Sequence, residues 1–578
     1  MKKTTLIIIF ILLVFLTPTF VLAEDHVIIN SKDWKDVYSG MIFSNLQKIK
    51  NNFLTSTKAG ILVLNAISKT DNVRVLSSRK APYVVGYKSV IESRNFPNVE
   101  EKRYTDMNFQ LAEELTDIKK FIIIDSSYGY NALSAGPYAV ASNSYVLFAD
   151  SRNINSIVNL LDSRGVEKLI LFGQLDRAVK QALQRFNPEI INKGDRFDNN
   201  LAIVDEYFKI VNTKQVILTN GEFLEASMLL GDNPVVFIGR ANVPQIVKDY
   251  IKNSKIEVGV LIGNELVGTA TTIRRELGIS VFVKFAQGAR QPEGAISKVE
   301  DLDRFPMPKY DLSLSIQSIV YNKATRSLEV TYKNNVEQAI YFKSTLTIKD
   351  GGTTKVTGDE DAIFIDGNNY KTIIYKYDTN GDELNLLGEN LSADLFVIFG
   401  EGPKSMDYTL EGTFNIDSIE VLDDSQIKIK DLVYDKSKKQ FFVTIENTGQ
   451  VDAFVNVELV DLVVNGEVIT VGANKVELIK KGKTIKVPVK IELSEEDFVD
   501  NPEIKVRAYY GEREIALIKL TEGTFAFRSQ TSNTAIYILV LLVLLIIIGF
   551  LGTKKKCKKC GHKNFRGRKT CEKCGHKF

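Results

Sequence analysis

Four cysteines, in Cys557-Lys-Lys-Cys560-Gly561 and Cys571-Glu-Lys-Cys574-Gly575, are the only thiols in a chain of 578 residues. Each Cys-x-x-Cys turn aims two thiolates at one point, and two such turns complete a tetrahedral shell that suits structural Zn2+. A glycine behind each pair lets backbone N–H groups approach the sulfurs without a Cβ in the way. A redox dithiol would need one motif inside an α/β unit, so the doubled spacing favours a closed metal site, with His562 and His576 as surface polar residues. His26 is the only other histidine. The rest of the chain therefore lacks the parts for a Ser-His-Asp triad or for His-ligated zinc.

The thiols follow directly on Ala535–Leu551, 17 residues without a charge. As a helix they reach ~26 Å, close to the roughly 30 Å of hydrocarbon once Gly552 and Thr553 are added. A soluble helix shows a polar face, and this one offers only Tyr537, so 535–553 reads as a transmembrane helix. Lys554, Lys555 and Lys556 behind it place 554–578 in the cytoplasm by the positive-inside rule, and everything before the span outside. At the other end, Met1-Lys-Lys, an apolar run from Leu6 to Leu16 and Val21-Leu22-Ala23 read as a secretory signal peptide over 1–23. The exported part has no cysteine and must be held by its cores.

That length predicts about three to five folded units. Hydrophobic residues at 44% and charged ones at 25% are the balance of ordered domains. The net charge of +3 implies no polybasic face on the N-terminal part, which argues against nucleic acid as its ligand. From residue 24 to about 290, landmarks recur. Val27-Ile-Ile-Asn-Ser31 precedes Asp36, Phe121-Ile-Ile-Ile-Asp-Ser126 precedes Asn131, and Val216-Ile-Leu-Thr-Asn-Gly221 precedes Glu225. A glycine closes a second apolar run in Tyr83-Val-Val-Gly86, Leu169-Ile-Leu-Phe-Gly173 and Val260-Leu-Ile-Gly263, and Lys102-Arg103-Tyr104 is echoed by Asp195-Arg196-Phe197. Short apolar runs alternating with helix-period stretches such as Asn155–Asp162 predict a parallel sheet covered on both faces. Three doubly wound α/β units follow, over 24–118, 119–210 and 211–300.

The middle copy, Phe121–Ala139 with Tyr145–Ala149, Leu169–Gly173 and Gly194-Asp-Arg-Phe197, resembles the cell wall-binding repeat type 2. The resemblance spans about 265 residues. It implies three tandem Rossmann-like units that associate with an anionic cell-wall polymer. Two departures stand out: the family's aspartate is kept only at Asp36, giving way to Asn131 and Glu225, and its paired glycines are reduced to one in each copy. Two roles are open for Asp36, Asn131 and Glu225. They cap free N–H groups where a helix starts, or they meet a ligand outside the carboxyl ends of the strands. Arg103 and Arg196 either hold an anionic glycan by bidentate bonds or pair with carboxylates between units.

Past Phe305-Pro-Met-Pro308 the texture changes to short strands with Asn, Asp and Gly turns, marking a boundary near residue 305. Ile319–Lys323 with Leu328–Asn334 matches Leu432–Lys436 with Phe442–Asn447 at an offset of 113 residues. Two β-sandwiches over 308–415 and 416–528 are the economical answer, and they resemble immunoglobulin-like spacers. Asn390-Leu-Ser392 is a lone sequon, and no Gly-x-Gly-x-x-Gly or P-loop pattern follows the strands of the head. The expectation is a single-pass surface protein of a prokaryote, an archaeon by its zinc-ribbon tail. Its head would bind envelope polymer, glycan or surface-layer components without catalysis, and the cations around its ribbon could touch anionic lipid heads, which proximity alone favours, or RNA or a cytosolic protein. A receptor signalling through the ribbon and a carboxylate-dependent glycan hydrolase are the rival readings.

Overall fold

The computed structural model describes residues 25–239, 242–263, 266–285, 288–289, 300–388, 390–530 and 554–578. The expected signal peptide (1–23) and membrane span (535–553) lie outside them. Among the described residues no helix is long and apolar enough to cross a membrane. The chain divides into two units, Met1–Val421 and Leu422–Phe578.

The first unit opens with three all-parallel, four-stranded sheets of one topology. Strands β1 (Asp25–Asn30), β2 (Lys50–Phe53), β3 (Asn72–Ser78) and β4 (Val99–Tyr104) lie in the order β2-β1-β3-β4. Strands β5 (Lys120–Ile124), β6 (Tyr145–Phe148), β7 (Lys168–Phe172) and β8 (Glu189–Ile191) follow as β6-β5-β7-β8. The third sheet uses β9 (Gln215–Thr219), β11 (Val235–Phe237), β12 (Val258–Ile262) and β13 (Ser280–Lys284) as β11-β9-β12-β13, because a short β10 (Phe223–Glu225) leaves it for another partner. Parallel neighbours need crossovers, and helices on both faces explain why the first strands are unbroken apolar runs: Val27–Ile29, Phe121–Ile124 and Val216–Leu218 are all buried.

Helices α1 (Trp34–Leu46), α2 (Met107–Glu114), α3 (Tyr130–Ala141) and α4 (Arg196–Phe208) hold the repeats together. A surface helix buries one stripe, yet α1 buries Val37–Ser44 without a break and α3 buries Ala132–Ala139. The reason is their position. Both meet the 3-10 turn Ala226–Leu229 of the third repeat at a common centre, where Gly136 lacks a side chain because a Cβ would overlap Leu229 and touch the Tyr38 hydroxyl. Asn45 Nδ2 donates to the Leu229 carbonyl at 2.6 Å. Each repeat thus touches both others, and one apolar core runs through all three.

Two buried amides clip each repeat to the next. On α2, Asn108 Nδ2 donates to Ser39 Oγ (2.9 Å) and the Val146 carbonyl (2.8 Å), and its Oδ1 accepts from Phe148 N (3.0 Å). On α4, Asn200 repeats the pattern with Ser134 Oγ (3.1 Å), the Val235 carbonyl (2.9 Å) and Phe237 N (2.9 Å). Each amide satisfies the free edge of the neighbouring sheet, which would otherwise be buried unpaired.

Residues 304–308 correct the expected boundary. Arg304–Pro306 pairs antiparallel with β10, the Phe305 ring meets Phe53 of the first repeat edge-on at 6.0 Å, and the Pro308 carbonyl accepts from Gly129 N of the second at 2.9 Å. Met307 fills the space that a Cβ on Gly129 would take. The segment is a strap that touches all three repeats, so the head does not end before it.

Two further landmarks are out of register. Tyr83–Gly86 is no strand: the strand of the first repeat equivalent to β7 and β12 is its third, Asn72–Ser78, and Gly86 merely precedes the helix Tyr87–Glu92. Arg103 lies on β4, whereas Arg196 opens α4 behind its N-cap Asp195. The residue equivalent to Asp195 is Asp106, the N-cap of α2, so the echo of Arg103 in Arg196 is coincidental.

Each of two β-sandwiches pairs a four-stranded sheet with a larger one over a closed apolar core. The first, in the head's unit, sets Tyr370–Tyr375, Ser327–Asn334, Leu314–Asn322 and Asp417–Ile419 against a sheet containing Ile340–Asp350, Ser392–Gly402 and Ser405–Asn415. The second unit repeats that order, with Thr484–Lys490, Gln440–Asn447, Ile427–Asp435 and Ser529–Gln530 facing Ala453–Val464, Glu503–Gly511 and Lys519–Ala526. The matched tyrosines do the same work. Tyr321 donates to the Leu384 carbonyl and accepts from Leu386 N, and Tyr434 does so with Ile491 and Leu493.

Candidate functional site

The sulfurs of Cys557, Cys560, Cys571 and Cys574 all lie within 4.8 Å of one another, with Cys557–Cys574 at 3.7 Å and Cys560–Cys571 at 3.5 Å. Zn–S bonds of ~2.3 Å set tetrahedral edges of roughly 3.8 Å, so the thiols fit such an ion. The two turns are built alike. Cys557 N donates to the His562 carbonyl and Cys571 N to that of His576, both at 2.8 Å, while Gly561 N and Gly575 N return to Cys557 and Cys571 at 2.9 Å. Both glycines sit at φ +69°, a conformation that favours glycine. The histidines contribute carbonyls and stand outside the ligand group. Asn564, which the sequence reading passed over, is buried and donates Nδ2 to Cys571 Sγ at 3.3 Å while accepting from Glu572 N at 2.9 Å. Such a donor orients the thiolate and favours its charged form.

In the head, two of the five expected ligand residues line clefts. Glu225 borders one of about 630 Å³ with Lys50, Asn52 and Lys284. Asp36 borders one of about 410 Å³ where the strands of the first two repeats end, among Lys35, Lys80, Asp106, Asp150 and Arg152. Asp36 does not cap α1; Asp33 does, accepting from Lys35 N. The Asp36 carboxylate instead accepts from Ser31 Oγ at 2.7 Å, and burial pushes its pKa up, with the Ser31 and Ser78 hydroxyls offsetting part of this. Asn131 holds the same place with donor and acceptor exchanged: its Nδ2 donates to Asp125 Oδ2 at 3.0 Å. Asn131 fills the room above Gly173, where a Cβ would overlap its side chain, so two sequence landmarks are a single packing contact.

Glu225 and the two arginines have other occupations. Glu225 is buried, caps the turn at Ser227 N (3.0 Å) and pairs with Lys284 Nζ at 2.5 Å. Arg103 makes a half-exposed pair with Glu101 at 3.3 Å. Arg196, offered as a glycan holder, is buried on two carboxylates of the first sandwich, Glu401 and Asp407 (2.6 Å to the latter), with the Tyr130 and Tyr310 rings 4.7 and 5.4 Å from its guanidinium.

This contact fills the cleft between the second and third repeats. The hairpin joining Ser392–Gly402 to Ser405–Asn415 enters between the second and third repeats, at the place equivalent to the open cleft of the first two. Ser405 Oγ donates to Asp195 Oδ2 at 2.7 Å and Asn242 Nδ2 to the Met406 carbonyl at 2.7 Å. One guanidinium cannot neutralise two buried acids. Burial accordingly pushes Asp407 up to about 7, with Arg196 offsetting part of the shift, and raises Glu401 for the same reason.

No family model and no curated protein matches the chain. Solved structures do. Cwp8 from Clostridium difficile aligns at 12% identity and a TM-score of 0.38, over 44% of this chain and 48% of that one. Cwp6 from the same organism aligns at 15% and 0.35, over 41% of each. The periplasmic chaperone SfaE aligns at 12% and 0.13, over 38% of this chain and 100% of its own. This chain therefore spans less than half the length of the two Clostridium proteins. Scores this low carry no argument about what the chain does.

Two features of the site had no pattern that the sequence reading used. Asn108 and Asn200 each stand two residues after an aspartate, Asp106 and Asp198, and that shared Asp-x-Asn spacing is a signal that could have found them. The hairpin plug had none, because its partners are some 205 residues apart.

Proposed function

We propose that the chain is a membrane-anchored surface protein whose head binds an envelope polymer, a glycan or a surface-layer component without catalysis. The observation that carries this reading is the cleft at the strand ends of the first two repeats, which presents acids and cations side by side and has Asp36 in its wall. Ligands of open α/β sheets bind in that position, and the sequence resemblance to wall-binding repeats agrees with it. Outside the cell the exported part would stand on the apolar span at 535–553. Inside, the four thiols would hold Zn2+. Only Cys557, Asn564 and Cys571 are buried in 554–578, so an ion there supplies the fold that the segment's own core cannot. The ribbon is also the natural place for a cytosolic protein partner.

The test is retention of envelope fractions by the whole exported part, residues 25–530, with Asp36→Ala and Arg152→Ala introduced together as the comparison. Retention that falls by about tenfold or more, the equivalent of ~1.4 kcal/mol, supports the cleft. Retention of no polymer at any salt concentration would overturn the reading, and turnover of a retained glycan would convert it into the hydrolase alternative.

A further inference from the structure

The +3 net charge conceals a strong polarity. Eleven of the 25 residues from Lys554 to Phe578 are Lys or Arg and one, Glu572, is acidic. All eleven cations are exposed, and among the described residues only Arg568 has an acidic partner, Glu572 at 2.9 Å. The strand pair of the ribbon fixes which of them stand nearest the preceding span. Lys554–Lys556 runs antiparallel to Lys563–Phe565 in the register Lys554 to Phe565, Lys555 to Asn564 and Lys556 to Lys563. Phe565, 48% exposed, is therefore beside the first residue of the tail, and the turn that follows it, closed by Arg568 N on the Phe565 carbonyl at 3.1 Å, carries Arg566, Arg568 and Lys569 at the same end.

Lys554 follows directly on the span proposed over 535–553, so the start of the tail lies within the screening length of about 8 Å at physiological salt. We propose that the Phe565–Lys569 turn docks on the anionic headgroups of the cytoplasmic leaflet, with Phe565 entering the headgroup layer and Arg566, Arg568 and Lys569 on lipid phosphates. The inference rests on the membrane span proposed above. Aromatic rings suit that interfacial layer, and basic side chains next to a span are drawn to anionic lipid. Stacking of single-stranded bases uses successive exposed rings, and Phe565 is the large apolar side chain most exposed at this end among the described residues.

The experiment uses the full zinc-loaded chain in lipid nanodiscs, either of phosphatidylcholine alone or with about a third phosphatidylglycerol, and reads acylation of Lys563 and Lys569 by mass spectrometry. The expected result is about threefold less labelling on the anionic discs, reversed near 0.5 M NaCl. The triple variant Phe565→Ser, Arg566→Gln, Arg568→Gln should lose the protection while keeping its zinc content. Equal labelling on both discs in chains that have inserted would overturn the proposal, as would protection that appears only when RNA is added. Failure of the chain to enter discs of either composition would remove the span itself, and this docking with it.

Discussion

At the scale of single residues, the two arginines matched by sequence make opposite predictions. Arg196 pairs with two buried acids, so Arg196→Ala should destabilise the first unit by about 3–5 kcal/mol. Arg103 makes a half-exposed pair, and Arg103→Ala should stay within roughly 0.5 kcal/mol; urea unfolding of both variants checks the contrast. The acids on Arg196 also set a pH dependence. Asp407, raised from 3.8 to about 7, binds more protons folded than unfolded between those values, so its contribution to stability falls as pH rises from 4 through 7. Asp198, raised to about 6 by burial and by Asp195, has the same sign. Melting of the first unit should accordingly be highest in mild acid, and Asp407→Asn should flatten the slope over that window; a slope of the opposite sign would refute the assignment. Legibility at this scale was uneven. The thiols were readable because metal geometry is written in short spacings, whereas the partner of Arg196 lies in another domain.

At the scale of elements, the parallel sheets were legible because strands buried on both faces show as unbroken apolar runs, as Phe121–Ile124 does. The landmark at Tyr83–Gly86 misled for the converse reason: β3 carries Arg74 in Val73-Arg-Val-Leu76, and a polar residue there hid the true strand. Arg74 reaches Glu114 at 2.5 Å, so that strand accommodates a half-buried cation by pairing it. The third repeat departs most, with β10 and a short turn where its siblings have full helices, because β10 pairs with the strap. The amide clips lead to a prediction at the same scale. Asn108→Ala and Asn200→Ala each leave a backbone carbonyl and an N–H buried without partners, and each should cost about 2–4 kcal/mol. Since the sites are alike but belong to different repeat junctions, the double variant should be close to additive. Chemical denaturation of the four proteins in that cycle decides it.

At the scale of the whole molecule, the three α/β repeats and the first sandwich form one compact unit, and a fragment should be cut accordingly. A fragment ending at residue 300 loses the strap and the hairpin that covers Arg196, exposing Phe53, Tyr130 and Gly129 to solvent. It should aggregate or bind a hydrophobic dye, whereas residues 25–421 should unfold in one transition; equal behaviour of the two fragments would contradict the packing described. The head's packing runs a few residues past the expected boundary near 305, because Pro-Met-Pro is as good a signal for an edge strand that cannot continue a ladder as for a linker.

The strap has a mechanical consequence. A protein tethered at one end and gripped at the other is loaded in tension, and pull arriving along the polypeptide reaches the α/β portion through residues 304–308, which bear on all three repeats together. Stretching a single molecule from both termini should therefore rupture that portion in one event and not as a staircase of three.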